Sequence, residues 1–328
     1  MIASVKKGSP RTQGVASEFV GLKTLAGRDF LDVADLDAEE LRQVLDLAHA
    51  IKAGRWSHRP LEGRHIAMLF QKPSHRTRVS FEVGIARLGG TATTLSEQDV
   101  QLGVRETVAD AARVLDRYVD GVVARLRTHA DLLELAGSSA KPVINGLTDR
   151  SHPCQVLADL LTLEEAKGEL SRQHVVYVGD GNNIATSLIE ASALAGFRLT
   201  VVSPSGYQPK GDVLERASSI SKAPLQVELT SHLAGLDDAT AIYTDVWASM
   251  GHESERDERR KAFAPYQVNQ AVVDASPRAI FMHCLPAHRG EEVTDQVIDG
   301  PRSVVFDQAE NRLYAQMAIM AELFGAES

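Results

Sequence analysis

The chain has 328 residues, room for about two domains at the usual ~150 residues each. Hydrophobic residues make up 44% and charged residues 24%, a globular composition that excludes disordered, collagen-like and coiled-coil chains. A formal net charge of -9 argues against nucleic-acid binding through bulk charge, so any anion site must be built from locally placed cations. Two cysteines, Cys154 and Cys284, are too few for a secreted disulfide framework and lack zinc-ligand spacing, which points to a reducing compartment. No run approaches the ~18 apolar residues of a membrane span, and the amino terminus lacks a secretory apolar core. A soluble, cytoplasmic protein is expected. Residues 1–26 read as a polar, frayed extension, whose Lys6, Lys7 and Arg11 give it a faint likeness to an organellar transit peptide.

Along the chain, Ala38, Leu41, Val44, Leu45, Leu47, Ala48 and Ile51 follow helical period, with Asp37 placed to cap the start and Gly54 near the end. His65–Phe70 reads as an apolar strand, Gln71–His75 as a turn, and Arg76–Leu88 as a helix closed by Gly89-Gly90. A strand is predicted at Gly121–Arg125. One helix is predicted within Asp149–Gly168, opened by Ser151-His152-Pro153, since proline suits a first helical turn. Val175–Val178 is a strand, Gly179–Asn183 a loop, Ile184–Ala195 a helix, and Leu199–Val202 and Ala241–Tyr243 are further strands. The densely charged run Gly251–Lys261 reads as a solvated face or mobile loop. Apolar strands alternating with helices predict an α/β chain of two domains, each a parallel sheet flanked by helices, joined by interdomain helices. Ligands in such sheets sit beyond the carboxyl ends of the strands, where the informative loops fall.

Three loops carry candidate chemistry. Lys72–Arg78 (KPSHRTR) enters a helix with Ser74, Arg76 and Thr77 close together, and a helix start offers unsatisfied N–H donors; the group suits an oxyanion such as phosphate, or a plain capped helix with surface arginines. Arg78 reads as structural. Gly179-Asp-Gly-Asn-Asn183 invites a dinucleotide reading, but Ile184 replaces the third glycine and Val202-Ser203 offers no ribose-binding acid, which disfavours a nicotinamide cofactor. Phe281–His288 (FMHCLPAH) sets a thiol between two histidines, with too few neighbouring ligands for zinc, and Asp245 ends a strand where a carboxylate can hold an ammonium group.

Taken together, Ser74-His-Arg-Thr-Arg78, His152-Pro-Cys-Gln155, Gly179–Asn183, Asp245 through Ser249-Met-Gly251 and His283-Cys-Leu-Pro286 resemble, in order, the aspartate/ornithine carbamoyltransferase family on its ornithine branch. The likeness runs from about Gly27 to about Leu323. It implies a carbamoyl phosphate-binding domain over 27–155, an ornithine-binding domain over 156–309, and a carboxyl-terminal helix, 310–325, packing back on the first. It implies that Ser74, His75, Arg76 and Thr77 hold the phosphate of carbamoyl phosphate, with Gln101 supplied by a neighbouring subunit of a homotrimer. Arg125, His152, Gln155, Cys284, the Leu285 carbonyl and Arg312 would surround the carbamoyl group. Among these, Arg125, His152, Cys284 and Arg312 are the expected catalytic residues. Asn183, Asp245, Ser249 and Met250 would bind ornithine, and Asp180 stays structural.

The activity implied is direct attack of the ornithine δ-amine on carbamoyl phosphate, giving L-citrulline and phosphate with no metal, nucleotide cofactor or covalent intermediate. Neither nucleic acid nor a membrane is expected as a partner. The same chemistry serves arginine synthesis and breakdown alike. The segment after Met250 would close on ornithine as a lid. His75 stands where threonine is common in the family, so a titratable ring replaces a hydroxyl at the phosphate. Competing readings are a carbamoyltransferase for putrescine or an acylated ornithine, and a non-catalytic binding protein on the same scaffold.

Overall fold

A computed structural model describes residues 25–233, 236–248 and 255–325. Its first sheet contains β1 (His65–Phe70), β2 (Thr91–Ser96), β3 (Gly121–Arg125) and β4 (Val143–Leu147), all parallel and ordered β2-β1-β3-β4. Its inner strands β1 and β3 carry uninterrupted apolar runs, Ile66–Phe70 and Gly121–Ala124, as burial on both faces demands. Edge strand β2 (TATTLS) has no such run, and only its pairing with β1 from His65↔Thr91 to Phe70↔Ser96 makes it a strand.

The second sheet contains β5 (His174–Val178), β6 (Arg198–Val202), β7 (Val227–Thr230), β8 (Ala241–Thr244) and β9 (Ile280–His283), also parallel and ordered β7-β6-β5-β8-β9. Two parallel sheets flanked by helices thus form the α/β architecture expected from the sequence.

The helices of the first half are α1 (Ala38–Lys52), α2 (His75–Arg87), α3 (Glu97–Val100), α4 (Val108–Leu115) and α5 (His129–Ser138). Asp37 caps α1 by accepting from the amides of Glu39 and Glu40. Helix α6 (Pro153–Lys167) follows, then α7 (Asn183–Ala195), α8 (Gly211–Ile220), α9 (Arg256–Phe263), α10 (Gln270–Asp274), α11 (Asp295–Ile298) and α12 (Val305–Phe324).

Helix α6 is buried from Pro153 to Leu163, being packed from both halves of the chain, and it runs unbroken across position 155. Helix α12 lies along α6 and also touches α1 and α2, burying Ala315, Ala318, Ile319, Met320 and Leu323. Ile319, Met320 and Leu323 each contribute roughly 1.5–3 kcal/mol by burial and the two alanines less, so this seam fixes the two halves to each other.

A buried ionic cluster adds a second tie. Arg216 of α8 reaches Asp32 at 2.9 Å and Glu190 of α7 at 3.5 Å, and Asp32 also faces His129 at 3.4 Å. Burial alone would raise Asp32, but the His129 bond and the nearby charges of His129 and Arg216 bring it down to about 2. Glu190, wholly buried beside the charge of Asp32, is pushed up to about 7.

Strand order reverses between β1 and β3 in one sheet and between β5 and β8 in the other. The loops leaving these strands are therefore the natural ligand-binding edges; those after β1, β5 and β8 carry Lys72–Arg78, Gly179–Asn183 and Asp245, singled out in the sequence, while Phe281–His288 leaves the neighbouring strand β9.

Candidate active site

The loop after β1 becomes the amino terminus of α2. Ser74 is the cap: its Oγ accepts from the Thr77 amide at 3.3 Å and donates to Thr77 Oγ1 at 3.1 Å. Arg312, carried in from α12, donates to the same Thr77 oxygen at 3.0 Å. With two donors already on its oxygen, the Thr77 hydroxyl hydrogen is left to donate elsewhere. Arg76 is half-buried, and His75 lies exposed with its ring 3.4 Å from an Arg76 guanidine nitrogen. Arg78 points outward and pairs with Glu82 at 2.9 Å, in keeping with a structural role.

Arg125 ends β3 beside the β1 loop. Burial, then the charges of Arg312 and Arg76, push its guanidinium down to about 10. Arg312 is 3% exposed and its Nε has no hydrogen-bond partner among the described residues. Three guanidinium groups held this close raise one another's energy in the absence of an anion, and a bound dianion would reverse the sign of that interaction. His152 precedes Pro153 at the start of α6. Burial, Arg312 and Arg125 hold its ring well below the ordinary histidine range, which makes it neutral at physiological pH. Its Nδ1 is buried without a partner among the described residues. Gln155, in the same first turn, donates through Nε2 to Asp159 at 2.8 Å.

The opposite wall comes from the second sheet. Asp245, just after β8, accepts from Asn182 Nδ2 at 2.8 Å, from the Val246 amide at 2.8 Å, and from the Cys284 thiol at 3.1 Å. Cys284 keeps some exposure to the cleft, yet burial is the first cause and Asp245 the second that raise its thiol well above the usual value. It is a protonated thiol, not a thiolate. Burial likewise pushes the other cysteine, Cys154, up to about 12.

His283 shapes the turn that follows. Its Nδ1 accepts from the Leu285 amide at 2.9 Å, so Nε2 carries the hydrogen and donates to buried Glu292 at 3.2 Å. Leu285 then adopts a left-handed φ of 57°. The ligating atoms of Asp245, His283 and Cys284 lie within 4.8 Å of one another. The histidine nitrogens and the thiol hydrogen are already committed, so the trio reads as a hydrogen-bonded wall.

The glycine-rich loop after β5 has a packing explanation. A Cβ on Gly181 would fall 2.2 Å from the Pro209 nitrogen, and the Gly181 amide donates to the Tyr207 carbonyl at 2.8 Å. The segment at Tyr207–Pro209 fills the space over this turn, which agrees with setting the nicotinamide reading aside. Asn182 caps α7 and reaches Asp245, whereas Asn183, the residue expected at ornithine, donates Nδ2 to the Thr148 carbonyl at 2.7 Å. The sequence signal for Asn182 was the cap position itself.

Ser249 and Met250 lie outside the described residues, as do the first four residues of the charged run. The rest of that run is the start of helix α9, Arg256–Phe263, and it presents the solvated face read from the sequence: residues 255–258, Arg260 and Lys261 are exposed, and only the mobile-loop alternative and the solvation of Arg259 are corrected. Its Arg259 is buried, donating to Asp180 at 2.8 Å and to the Trp247 carbonyl at 3.1 Å. A buried carboxylate at the end of β5 requires a cation, and the helix supplies it. Gln101 ends α3 with φ 48° and is exposed; none of its hydrogen bonds among the described residues joins it to Ser74–Thr77 or to the three arginines.

Two family models match the chain: "Aspartate/ornithine carbamoyltransferase, carbamoyl-P binding domain" over residues 28–165 and "Aspartate/ornithine carbamoyltransferase, Asp/Orn binding domain" over 171–323. The ornithine carbamoyltransferase of Thermococcus kodakarensis is 53% identical over 311 residues, covering 92% of this chain and 98% of that protein. The solved ornithine carbamoyltransferase of Pyrococcus furiosus superposes with a TM-score of 0.89 at 52% identity, covering 94% of this chain and 100% of that one. The anabolic enzyme of Campylobacter jejuni gives 0.84 at 35% identity, covering 90% and 98%. The chain belongs to the aspartate/ornithine carbamoyltransferase family.

Proposed function

We propose that the cleft transfers the carbamoyl group of carbamoyl phosphate to the δ-amine of L-ornithine, releasing L-citrulline and phosphate. The observation that carries this reading is the pairing of unlike walls. Arg76, Arg125, Arg312 and the α2 amino terminus form a cationic wall, and Asp245 with Cys284 stands on the opposite sheet. The first suits a phosphorylated carbonyl compound and the second an amino acid's ammonium group.

In this reading Ser74, His75, Arg76 and Thr77 bind the phosphate, with the backbone amides of the helix start as further donors. Arg125, Arg312 and neutral His152 face the carbamoyl side, where charge accumulates on oxygen as the C–N bond forms and the C–O bond to phosphate breaks. Fixed donors at such an oxygen are commonly worth ~3 kcal/mol each. Gln155 Oε1 and the Leu285 carbonyl accept from the carbamoyl N–H groups. Asp245 holds the α-ammonium with Asn182 behind it, and Asn183, Ser249 and Met250 complete the amino-acid end. Much of the remaining acceleration comes from holding both substrates in attack geometry. Cys284, being protonated, modulates this end without forming a covalent intermediate.

The half of the chain around the first sheet takes carbamoyl phosphate and the other half ornithine, with closure of the segment after Met250 excluding water. Gln101, exposed and away from its own cleft, reaches the phosphate site of a neighbouring subunit in a cytoplasmic homotrimer. Exposed Val79, Val104, Tyr118 and Leu133 on the same half support such an assembly. No helix among the described residues is long and apolar enough to cross a membrane.

Colorimetric citrulline detection with carbamoyl phosphate and ornithine, putrescine, N-acetylornithine or aspartate tests the reaction. Ureido product from ornithine alone is expected. Product only from putrescine or acetylornithine would reassign the acceptor, and no product from any amine would favour a binding protein. Light scattering tests the trimer.

A further inference from the structure

Behind the cationic wall lies a buried acid that no step above uses. Asp159 sits one turn along α6 from Gln155 and is 2% exposed. A single carboxylate oxygen, Oδ1, accepts from Gln155 Nε2 at 2.8 Å and from Gln308 Nε2 of α12 at 2.7 Å. The Gln308 oxygen in turn accepts from the His283 amide at 2.9 Å, and His283 Nδ1 receives the Leu285 amide. A continuous chain of hydrogen bonds therefore runs from Gln155 through α6 and α12 to the turn that carries Cys284 and Leu285.

We propose that Asp159 is a positioning residue that makes the site selective for a carbamoyl group. Its Oδ1 fixes the amide orientation of Gln155, and through Gln308 the seat of the Leu285 turn, so that both present acceptor oxygens to the carbamoyl N–H groups. The physical basis is the near-symmetry of a glutamine amide, whose two ends have almost the same shape and opposite hydrogen-bonding sense. An acceptor placed on one branch forces the NH2 toward itself and leaves Oε1 on the other. In Gln155 that Oε1 is buried with no partner among the described residues, an acceptor waiting for a donor. With the amide reversed, NH2 would meet the substrate's NH2. Burial pushes the Asp159 carboxyl up to about 7, but a proton on its other oxygen leaves Oδ1 an acceptor in either form. The role thus survives titration.

This inference rests on the proposed placing of Gln155 at the carbamoyl group, so Gln155→Ala accompanies the test. In the full-length enzyme, three quantities are compared: the KM of carbamoyl phosphate, and the inhibition constants of acetyl phosphate, which has a methyl in place of the NH2, and of inorganic phosphate. Asp159→Leu, which removes the acceptor at similar volume, is expected to raise the carbamoyl phosphate KM about tenfold. It should leave acetyl phosphate and phosphate inhibition unchanged, erasing the preference for the carbamoyl compound. Asp159→Asn, which can still offer a carbonyl oxygen to both amides, should keep the preference.

If Asp159→Leu does not bind phosphate, Asp159→Ala, which adds no apolar bulk, is read in its place. Unchanged preference in the acceptor-less variant while Gln155→Ala loses it would overturn the role of Asp159 alone. Equal weakening of all three ligands would reduce Asp159 to a structural residue, which also overturns the proposal. Retained preference in Gln155→Ala would remove the placing of Gln155 and this inference with it.

Discussion

Replacing Arg125 by methionine should make the protein more stable and nearly inactive at once. Without an anion, Arg125 is held at about 10 by burial and by the charges of Arg312 and Arg76, against an ordinary value of 12.5. At 1.36 kcal/mol per unit, keeping it charged costs up to about 3 kcal/mol. The sign follows from linkage: a base whose folded pKa is depressed destabilises the folded state at every pH below that pKa. The cost falls only as pH rises through about 10. Methionine keeps much of the apolar stem and removes the charge, and lost contacts of Arg125 offset part of the gain.

The assay is thermal unfolding in buffer free of phosphate and sulfate, repeated with inorganic phosphate. Arg125→Met should melt a few degrees above the parent when no anion is present. The parent should then gain on adding phosphate, by about 2.7 kcal/mol at a hundred times its Kd, and the variant, which keeps Ser74, Arg76, Thr77 and Arg312, should gain less at the same phosphate concentration. Turnover should fall by a factor of 10² or more. An Arg125→Met protein that is less stable than the parent without anion, or that is stabilised by phosphate to the same degree, would refute the account of three mutually repelling cations.

Further expectations test other parts of the site. Cys284→Ala should reduce ornithine affinity or turnover by about tenfold while carbamoyl phosphate binding persists. Mass spectrometry of rapidly quenched parent enzyme should find no thiocarbamoyl adduct, because the thiol is raised well above its usual range. His152→Ala should lower kcat by about 10²–10³, measured by citrulline formation. Since the ring is already neutral, kcat/KM for carbamoyl phosphate in the parent should show no step from His152 between about pH 6 and 8. Asp32→Asn should cost about 2 kcal/mol in urea unfolding near neutrality, from the fall of Asp32 from 3.8 to about 2. A depressed acid stabilises above its unfolded pKa, so the gap between variant and parent should be constant above about pH 5 and shrink as pH falls through 3.8 toward 2.

The sequence by itself determined the local chemistry. The apolar runs at His65–Phe70 and Val175–Val178 can be stable only as strands covered on both faces. Asp37, Ser74 and Pro153 mark helix starts because capping is decided within a few residues. The order of short motifs, read as a family resemblance, located most of the cleft. Edge strands β2 and β7 were not legible, because a polar, half-exposed strand differs from a loop only by its neighbour.

The tertiary structure decided everything that depends on elements distant along the chain. Arg312 meets Thr77 across 235 positions because α12 returns along α6, and Gln308 meets Asp159 across 149 by the same route. Arg259 in the charged run is buried because Asp180 needs a cation, and Asn182 rather than Asn183 faces Asp245. Such contacts are set by how sheets and helices pack, and packing brings together residues whose separation in sequence carries no trace of it. A charge count of -9 therefore coexists with a cationic wall: composition is a sum over the chain, whereas binding depends on which charges the fold places side by side.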